Sequence, residues 1–418
     1  MKTKRFNNLL QSAKRGEGKT LLGNMGYLSI LQIAGYLFPI ITIPYLARVI
    51  GAEGYGRIAF ASAVMVWIQT IADWGFTLTA TRDVAKCRGN KEEVSKIFSE
   101  TFWARCFLML ISFVILVILI LAIPEFRRNA PILLISFLMI PGHIMFPDWF
   151  FQAMERMKYT TITNLVVKCV FTMAVFVFIK EQNDYILQPL LTALGYLIAG
   201  CYAMWLIIKR WGYRISIVPF SAIRQSIRRS ADVFINNLFP NLYNSLSVVL
   251  LGFCWGSVAN GIYSEGSKFS GIAQNFLNVI SRVFYPFLSR RIDKHRLYVI
   301  VYMMTTIIVA VSLFVAAPWL IRWFYPDEFL PAIPVARVRA VSLVFSSLSN
   351  AYGSCYLIVE GHEKLLRKIT MWCSLAGFAV AYPLISHYSY MGVAITVTFS
   401  LACLGISSCL AVWRLKRI

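Results

Sequence analysis

Residues 21–56 read LLGNMGYLSILQIAGYLFPIITIPYLARVIGAEGYG. Its first 30 residues are mostly apolar, and ~20 apolar residues at ~1.5 Å rise already cross the hydrocarbon of a bilayer. The stretch therefore predicts one long transmembrane helix that turns over at the glycine-rich close from Gly51 to Gly56. Pro39 and Pro44 fall inside it. A proline there frees a backbone carbonyl that lipid cannot satisfy, so it is tolerated where a neighbouring helix or a wet cavity takes over. The first helix is thus expected to be kinked and to line something. The glycine spacing returns 205 residues later in Gly256 and Gly261, again followed by a second apolar run. In a chain of 418 residues this offset is nearly half the length, which points to an internal duplication.

Composition agrees with a polytopic membrane protein. Hydrophobic residues make up 58% and charged residues 14%, against about 45–50% and about 25% in ordinary soluble domains. The formal net charge of +22 would suit a nucleic-acid binder only if the basic residues gathered on one folded surface beside a reader motif. They fall instead in the gaps between apolar runs, so no nucleic-acid partner is expected. The nine cysteines form no CxxC pair and no Cys/His group at metal-ligand spacing, so free thiols and no metal or cofactor are expected. The first 20 residues are hydrophilic and carry no secretory signal pattern.

Twelve apolar runs are long enough to cross a bilayer. The first half holds 21–50, 58–80, 102–123, 131–152, 161–179 and 189–208, and the second holds 233–255, 262–285, 297–321, 335–359, 369–386 and 391–413. With the amino terminus placed in the cytoplasm, 29 of the 41 lysines and arginines fall in cytoplasmic segments and 5 in external ones. Positively charged loops resist translocation, so both termini are expected on the cytoplasmic side. The expected fold is all-α: an N-terminal lobe over 1–208 opening on a basic tail (1–20), a cytoplasmic linker at 209–230, and a C-terminal lobe over 231–418. Six is even, so both lobes enter from the same face and are related by a pseudo-two-fold axis along the membrane normal. Two facing six-helix lobes suggest a transporter.

Ala13 to Thr20 formally satisfies a phosphate-loop pattern, but no strand precedes it and a membrane helix follows, whereas a working loop needs both a strand and a helix amino terminus. Charges inside the spans carry more information, because each is costly unless it reaches an interface or a cavity. Arg48, Arg337 and Arg339 lie near outer ends, and Arg105 and Arg282 near inner ends, where they could instead snorkel. Arg337 and Arg339 are two residues apart, so at most one of them faces a central cavity. Lys168 and Lys268 are about seven residues from the nearer end of their spans, ~10 Å deep. Glu265 precedes Lys268 by one turn, which offers an internal ion pair as the alternative to a cavity cation. Lys168 has no acid at i±3 or i±4, and Asp73 could pair with either lysine. The expectation is a cationic cavity lined by Arg48, Lys168, Lys268 and Arg337, with Asp73 and Glu265 as pairing or ion-coupling acids. Such a surface attracts a diphosphate or an acidic sugar. Pro39, Pro44, Gly51, Gly56, Pro240, Gly256 and Gly261 are the expected hinge and hairpin residues, with Gly252 and Gly256 forming a GxxxG and Asn236, Asn237, Asn241 and Asn244 making the seventh helix polar.

The run Pro44 to Gly51, the GAEGYG that follows, Asp73-Trp74-Gly75-Phe76 with Thr81-Arg82, and Pro147-Asp148-Trp149-Phe150-Phe151-Gln152-Ala153-Met154-Glu155-Arg156-Met157 resemble the polysaccharide-transporter family in order and spacing. Gly261-Ile262-Tyr263 with Lys268, Tyr285-Pro286 and Asn350-Ala351-Tyr352-Gly353 continue the likeness across nearly the whole chain. Ala153 stands where the family usually has glycine. Within it the chain is most similar to Wzx-type O-antigen flippases of the superfamily that also holds multidrug exporters. The resemblance implies a twelve-helix flippase of a bacterial inner membrane that moves an undecaprenyl-diphosphate-linked oligosaccharide from the cytoplasmic to the periplasmic leaflet by alternating access, without hydrolysing nucleotide. It implies the lipid bilayer, and the O-antigen polymerase and chain-length regulator, as partners. An ion-coupled multidrug exporter and a membrane glycosyltransferase or polymerase are the competing readings. The second lacks a sizeable extramembrane loop or catalytic acid cluster.

Overall fold

The computed structural model describes residues 17–289 and 291–417, so most of the basic tail lies outside the described residues. Every regular element among these residues is helical, as lipid requires of a chain that must satisfy its backbone internally without a closed barrel. Nine helical stretches among them are long and apolar enough to cross a membrane. The difference from twelve apolar runs has a local cause. Three stretches are continuous through a reversal at a single residue, and each is far longer than one crossing takes.

Helix α1 (Glu17–Asp73) reverses at Gly51, whose φ of 64° and ψ of −178° form a conformation that L side chains avoid. Its prolines do not interrupt it. The backbone is helical through Pro39 and Pro44, and the non-helical residue is the glycine. Short α2 (Phe76–Lys86) and long α3 (Lys91–Ala122) follow, the latter capped by Asn90, whose side chain accepts from the amides of Glu92 and Glu93. The fourth run, α4 (Ala130–Ala153), is broken at Phe146 and Pro147. Next come α5 (Met157–Phe178), α6 (Leu187–Trp205) and α7 (Phe220–Tyr243). Pro240 lies within α7, which ends at Asn244, where the amide and side-chain nitrogen both donate to the Pro240 carbonyl. Helix α8 (Ser245–Leu288) reverses at Gly256 with φ 76° and ψ −169°, almost the values of Gly51. Then come α9 (His295–Phe324), α10 (Ala332–Ser349) with a π-helical extension Asn350–Ile358, and α11 (Glu363–Arg417), which reverses at Ser389.

The hairpins of α1 and α8 pack on each other reciprocally. A Cβ on Gly56 would lie 1.6 Å from the Ser257 carbonyl oxygen, and one on Gly261 2.2 Å from that of Ala52. The residue after each reversal thus meets the glycine five positions beyond the other. Gly252 also admits Phe60, whose ring would lie 2.6 Å from an added Cβ. The second limb of α1 spans 22 residues, or about 30 Å. At its far end Trp74 stacks on Phe234 at 3.8 Å and 7°, and its indole donates to the Ile227 carbonyl at 3.0 Å. The same region pairs Thr79 with Ser230 at 2.7 Å and Asn241 with Thr70 at 3.0 Å. Contacts at both ends of this limb leave a cavity between them. By contrast, α5 and α9 expose Val166, Val170, Met173, Met304, Ile308 and Val311, faces that suit lipid rather than water.

Candidate functional site

Two adjoining cavities lie below the paired hairpins. The larger, about 550 Å³, is lined by both limbs of α1 and by α8, with Ser62, Asn244, Ser245, Ser264, Ser267 and Lys268 supplying polar groups. The smaller, about 310 Å³, lies between α1, α5 and α6 and holds Lys168 among Phe38, Val167, Phe171, Val175 and Leu191. Thr42, Leu46 and Gln188 line both, so the two are contiguous. A third cavity of about 390 Å³ holds Asp73 beside Gln69, Thr70, Asn236, Asn237 and Pro240, which places the asparagine-rich end of α7 on a polar space.

The intramembrane charges sort into different roles. Lys168 has no carboxylate within ion-pair distance among the described residues, and a Cβ on Gly35 would still stand 3.5 Å from its Nζ. Lys268 lines the larger cavity but donates to Glu265 Oε1 at 2.8 Å and sits 5.0 Å from the centre of the Tyr55 ring. Glu265 is fully buried and accepts a second bond from the Tyr325 hydroxyl at 2.7 Å. The pair therefore takes the alternative that the one-turn spacing offered, and Lys268 faces the cavity with its charge balanced.

Other expected residues are placed differently. Asp73 pairs with neither lysine: it bonds Arg105 of α3 and lies 3.7 Å from His143 Nε2 of α4. Arg105 does not snorkel, since it is 2% exposed and held by that carboxylate. Arg48 is exposed near the hairpin and lines neither cavity. Arg337 also lines neither; its guanidinium lies 5.3 Å from the Phe314 ring, on the side of α9. Arg339, two residues on, is the more deeply held of the two, with Nε and Nη1 buried where Arg337 buries Nε alone, and it too lines neither cavity. The alternation rule separates these two arginines but does not say which is held more deeply. His143 was missed because the search for buried charges took lysine, arginine, aspartate and glutamate alone, and its signal is a lone histidine amid MIPGHIM. Glu328 was missed as well. Its carboxylate accepts from the Ala52 amide at 2.9 Å and so occupies the helix amino terminus that begins after Gly51.

Comparison with known proteins adds a family to this geometry. The model of the family described as "Polysaccharide biosynthesis protein" matches residues 21–292. The chain belongs to this family. Its matched part takes in both reversing glycines, Lys168, Lys268 and Glu265. A protein of Escherichia coli (strain K12) described as a candidate O-antigen transporter is 25% identical over 387 residues, covering 90% of this chain and 93% of the relative. One of Shigella dysenteriae with the same description is 24% identical, covering 90% and 96%. Among solved structures, the lipid II flippase MurJ in an inward closed conformation aligns with a TM-score of 0.69 at 14% identity over 94% of this chain and 87% of its own. The eukaryotic MATE transporter AtDTX14 aligns with a TM-score of 0.59 at 16% identity, covering 95% of each chain. These two share the fold with this member of the polysaccharide biosynthesis family.

Proposed function

We propose that this chain is a flippase that carries a lipid-linked oligosaccharide of the O-antigen type, joined to undecaprenyl diphosphate, from the cytoplasmic to the periplasmic leaflet of a bacterial inner membrane. The observation that carries the reading is Lys168, which among the described residues has no acid within ion-pair distance, in a cavity contiguous with a larger one between α1 and α8 that carries Ser62, Asn244, Ser245, Ser264 and Ser267. A sugar headgroup cannot cross hydrocarbon, whereas a wet polar path with one free positive charge suits a diphosphate followed by sugars. The relatives described as candidate O-antigen transporters support this cargo. The reading makes the protein a transporter and not an enzyme.

In this account the three reversing stretches each cross twice. The chain then makes twelve crossings in two lobes, 1–208 and 231–418, joined by a cytoplasmic linker at 209–230, with both termini cytoplasmic. The reciprocal contact of Gly56 with Ser257 and Gly261 with Ala52 supports a pseudo-two-fold axis between the lobes, since such an axis makes each contact occur twice. The hairpin contacts form the periplasmic seal, and Trp74 with Phe234 belongs to the cytoplasmic one. Alternating access opens one while the other holds. The O-antigen polymerase and the chain-length regulator are the partners expected at the periplasmic face. Export of cationic drugs is the weaker reading, because both deep acids, Asp73 and Glu265, are already held by bases.

Purified protein reconstituted in vesicles with a fluorescent undecaprenyl-diphosphate oligosaccharide tests the proposal. Label in the inner leaflet is expected to become accessible to an external quencher without nucleotide, at a rate well above that of protein-free vesicles. No acceleration would sink it.

A further inference from the structure

We infer that the loop at 325–329, between α9 and α10, is the latch of the hairpin seal, gripping α1 while the chamber is closed to the periplasm and letting go when it opens there. The inference rests on the flippase reading above and deepens it, since it assigns the part that controls one of the two openings. The loop makes three contacts. The Tyr325 hydroxyl donates to buried Glu265 at 2.7 Å, and Glu265 in turn holds Lys268 of the larger cavity. Phe329, fully buried, stands edge-on to the Tyr55 ring at 6.3 Å and 89°, and the same ring lies beneath the Lys268 ammonium. Glu328 accepts from the Ala52 amide at 2.9 Å. Ala52 and Tyr55 open the second limb of α1, so two of the three contacts reach across to the facing hairpin. The Ala52 amide stands in the first turn of that limb, where no helical carbonyl reaches it. Glu328 is itself exposed, so water can replace the bond as the hairpins part, and the grip is one that can be released.

The equivalent loop of the other half supplies the contrast. Glu-Phe recurs at 125–126, between α3 and α4, and 328 less 125 is 203 residues, close to the 205 that separate the hairpin glycines. Phe126 is buried as Phe329 is, against Phe60 at 5.6 Å and Phe253 at 5.8 Å. Glu125, however, is held within its own loop, where it accepts from Asn129 Nδ2 at 3.1 Å and lies 3.6 Å from Arg128. At the 205-residue offset, Glu265 and Lys268 correspond to Phe60 and Ala63, which carry no charge. The aromatic wedge is thus present on both sides of the seal. Among the described residues, the carboxylate grip and the tie to a cavity cation belong to the Glu328 side alone.

The test reads a thiol placed in the larger cavity by Ser62→Cys, in the full chain with its nine native cysteines replaced. A membrane-impermeant thiol reagent is given to spheroplasts, where it meets the periplasmic face, or to everted vesicles, where it meets the cytoplasmic face. Glu328→Ala is expected to raise the rate from the periplasmic face about fivefold, the equivalent of one lost helix cap, without raising it from the cytoplasmic face. Tyr325→Phe, which frees the loop from Glu265 but leaves Glu265 bonded to Lys268, should raise the periplasmic rate by a smaller factor. Glu125→Ala should leave it near that of the wild type. A contact that merely stabilised the fold would, when lost, loosen both faces alike. A periplasmic rate unmoved by Glu328→Ala, raised together with the cytoplasmic one, or matched by Glu125→Ala overturns the inference. The thiol rates need no cargo, so the two readings can fail separately. If the vesicle assay shows no flipping but Glu328→Ala opens the periplasmic face, the transport reading fails and the latch stands. If flipping is present and the periplasmic rate does not move, the latch alone fails.

Discussion

Lys168 and Lys268 lie at similar depth in the sequence and reach adjoining cavities, yet their surroundings differ. Lys268 is bonded to a fully buried glutamate that a tyrosine also holds, while Lys168 lies in a cavity with Phe38, Val167, Phe171 and Val175 and, among the described residues, meets no acid. A charge inside a membrane span is thus not by itself a binding charge. Where a carboxylate sits one turn away the two neutralise each other and become architecture, and where none does the cation is left for a ligand.

The sharpest way to break this contrast is to reverse the unpaired charge. Lys168→Glu is expected to lower flipping about hundredfold or more, since attraction becomes repulsion at the phosphate, while thermal unfolding stays close to the wild type. A variant that flips normally would remove Lys168 from the site.

Lys268 should fail in the other direction. Lys268→Ala leaves Glu265 buried and uncompensated, with an expected stability loss of about 3 kcal/mol, read as a lower unfolding temperature. Flipping per folded molecule should change little. Replacing Glu265 and Lys268 together by glutamines should recover most of that loss, and a double-mutant cycle on unfolding should return a coupling of about 1–3 kcal/mol. A single Lys268 variant as stable as the wild type would show that the pair does not hold the hairpin region.

The smallest effect belongs to Arg337. Its contact with Phe314 is worth about 0.5–1 kcal/mol, so Arg337→Gln should shift unfolding slightly and leave flipping within about twofold. A larger loss of flipping than at Arg339→Gln would mean that the more and the less deeply held members of this pair have been exchanged.

The two glycine hairpins were legible in the sequence, because the same pair of glycines recurs at the same spacing 205 residues apart. Gly51 and Gly256 take nearly equal positive-φ conformations, and Gly56 and Gly261 provide the reciprocal close approach. The prolines misled for a physical reason. A helix packed on neighbours can absorb Pro39 and Pro44 without leaving helical dihedrals, so the turn falls at Gly51, where the glycine-rich close placed it, and the backbone stays helical at the two prolines. At the site, the i, i+3 spacing of Glu265 and Lys268 announced their pair. The pairing of Asp73 with Arg105 and His143 did not show, because it joins three helices and sequence spacing says nothing of which helices meet. The deeper seat of Arg339 was hidden likewise.

The most direct measurement is the accessibility of a lone thiol. In a background with the nine native cysteines replaced, Lys168→Cys is placed in vesicles and treated with a membrane-impermeant, water-soluble thiol reagent present on both faces. The account predicts that the thiol reacts and that an undecaprenyl-diphosphate oligosaccharide slows the reaction severalfold, while Arg337→Cys is unaffected by that ligand. A thiol at position 168 that does not react, or reacts equally with and without the ligand, would contradict a wet chamber whose free cation meets the cargo.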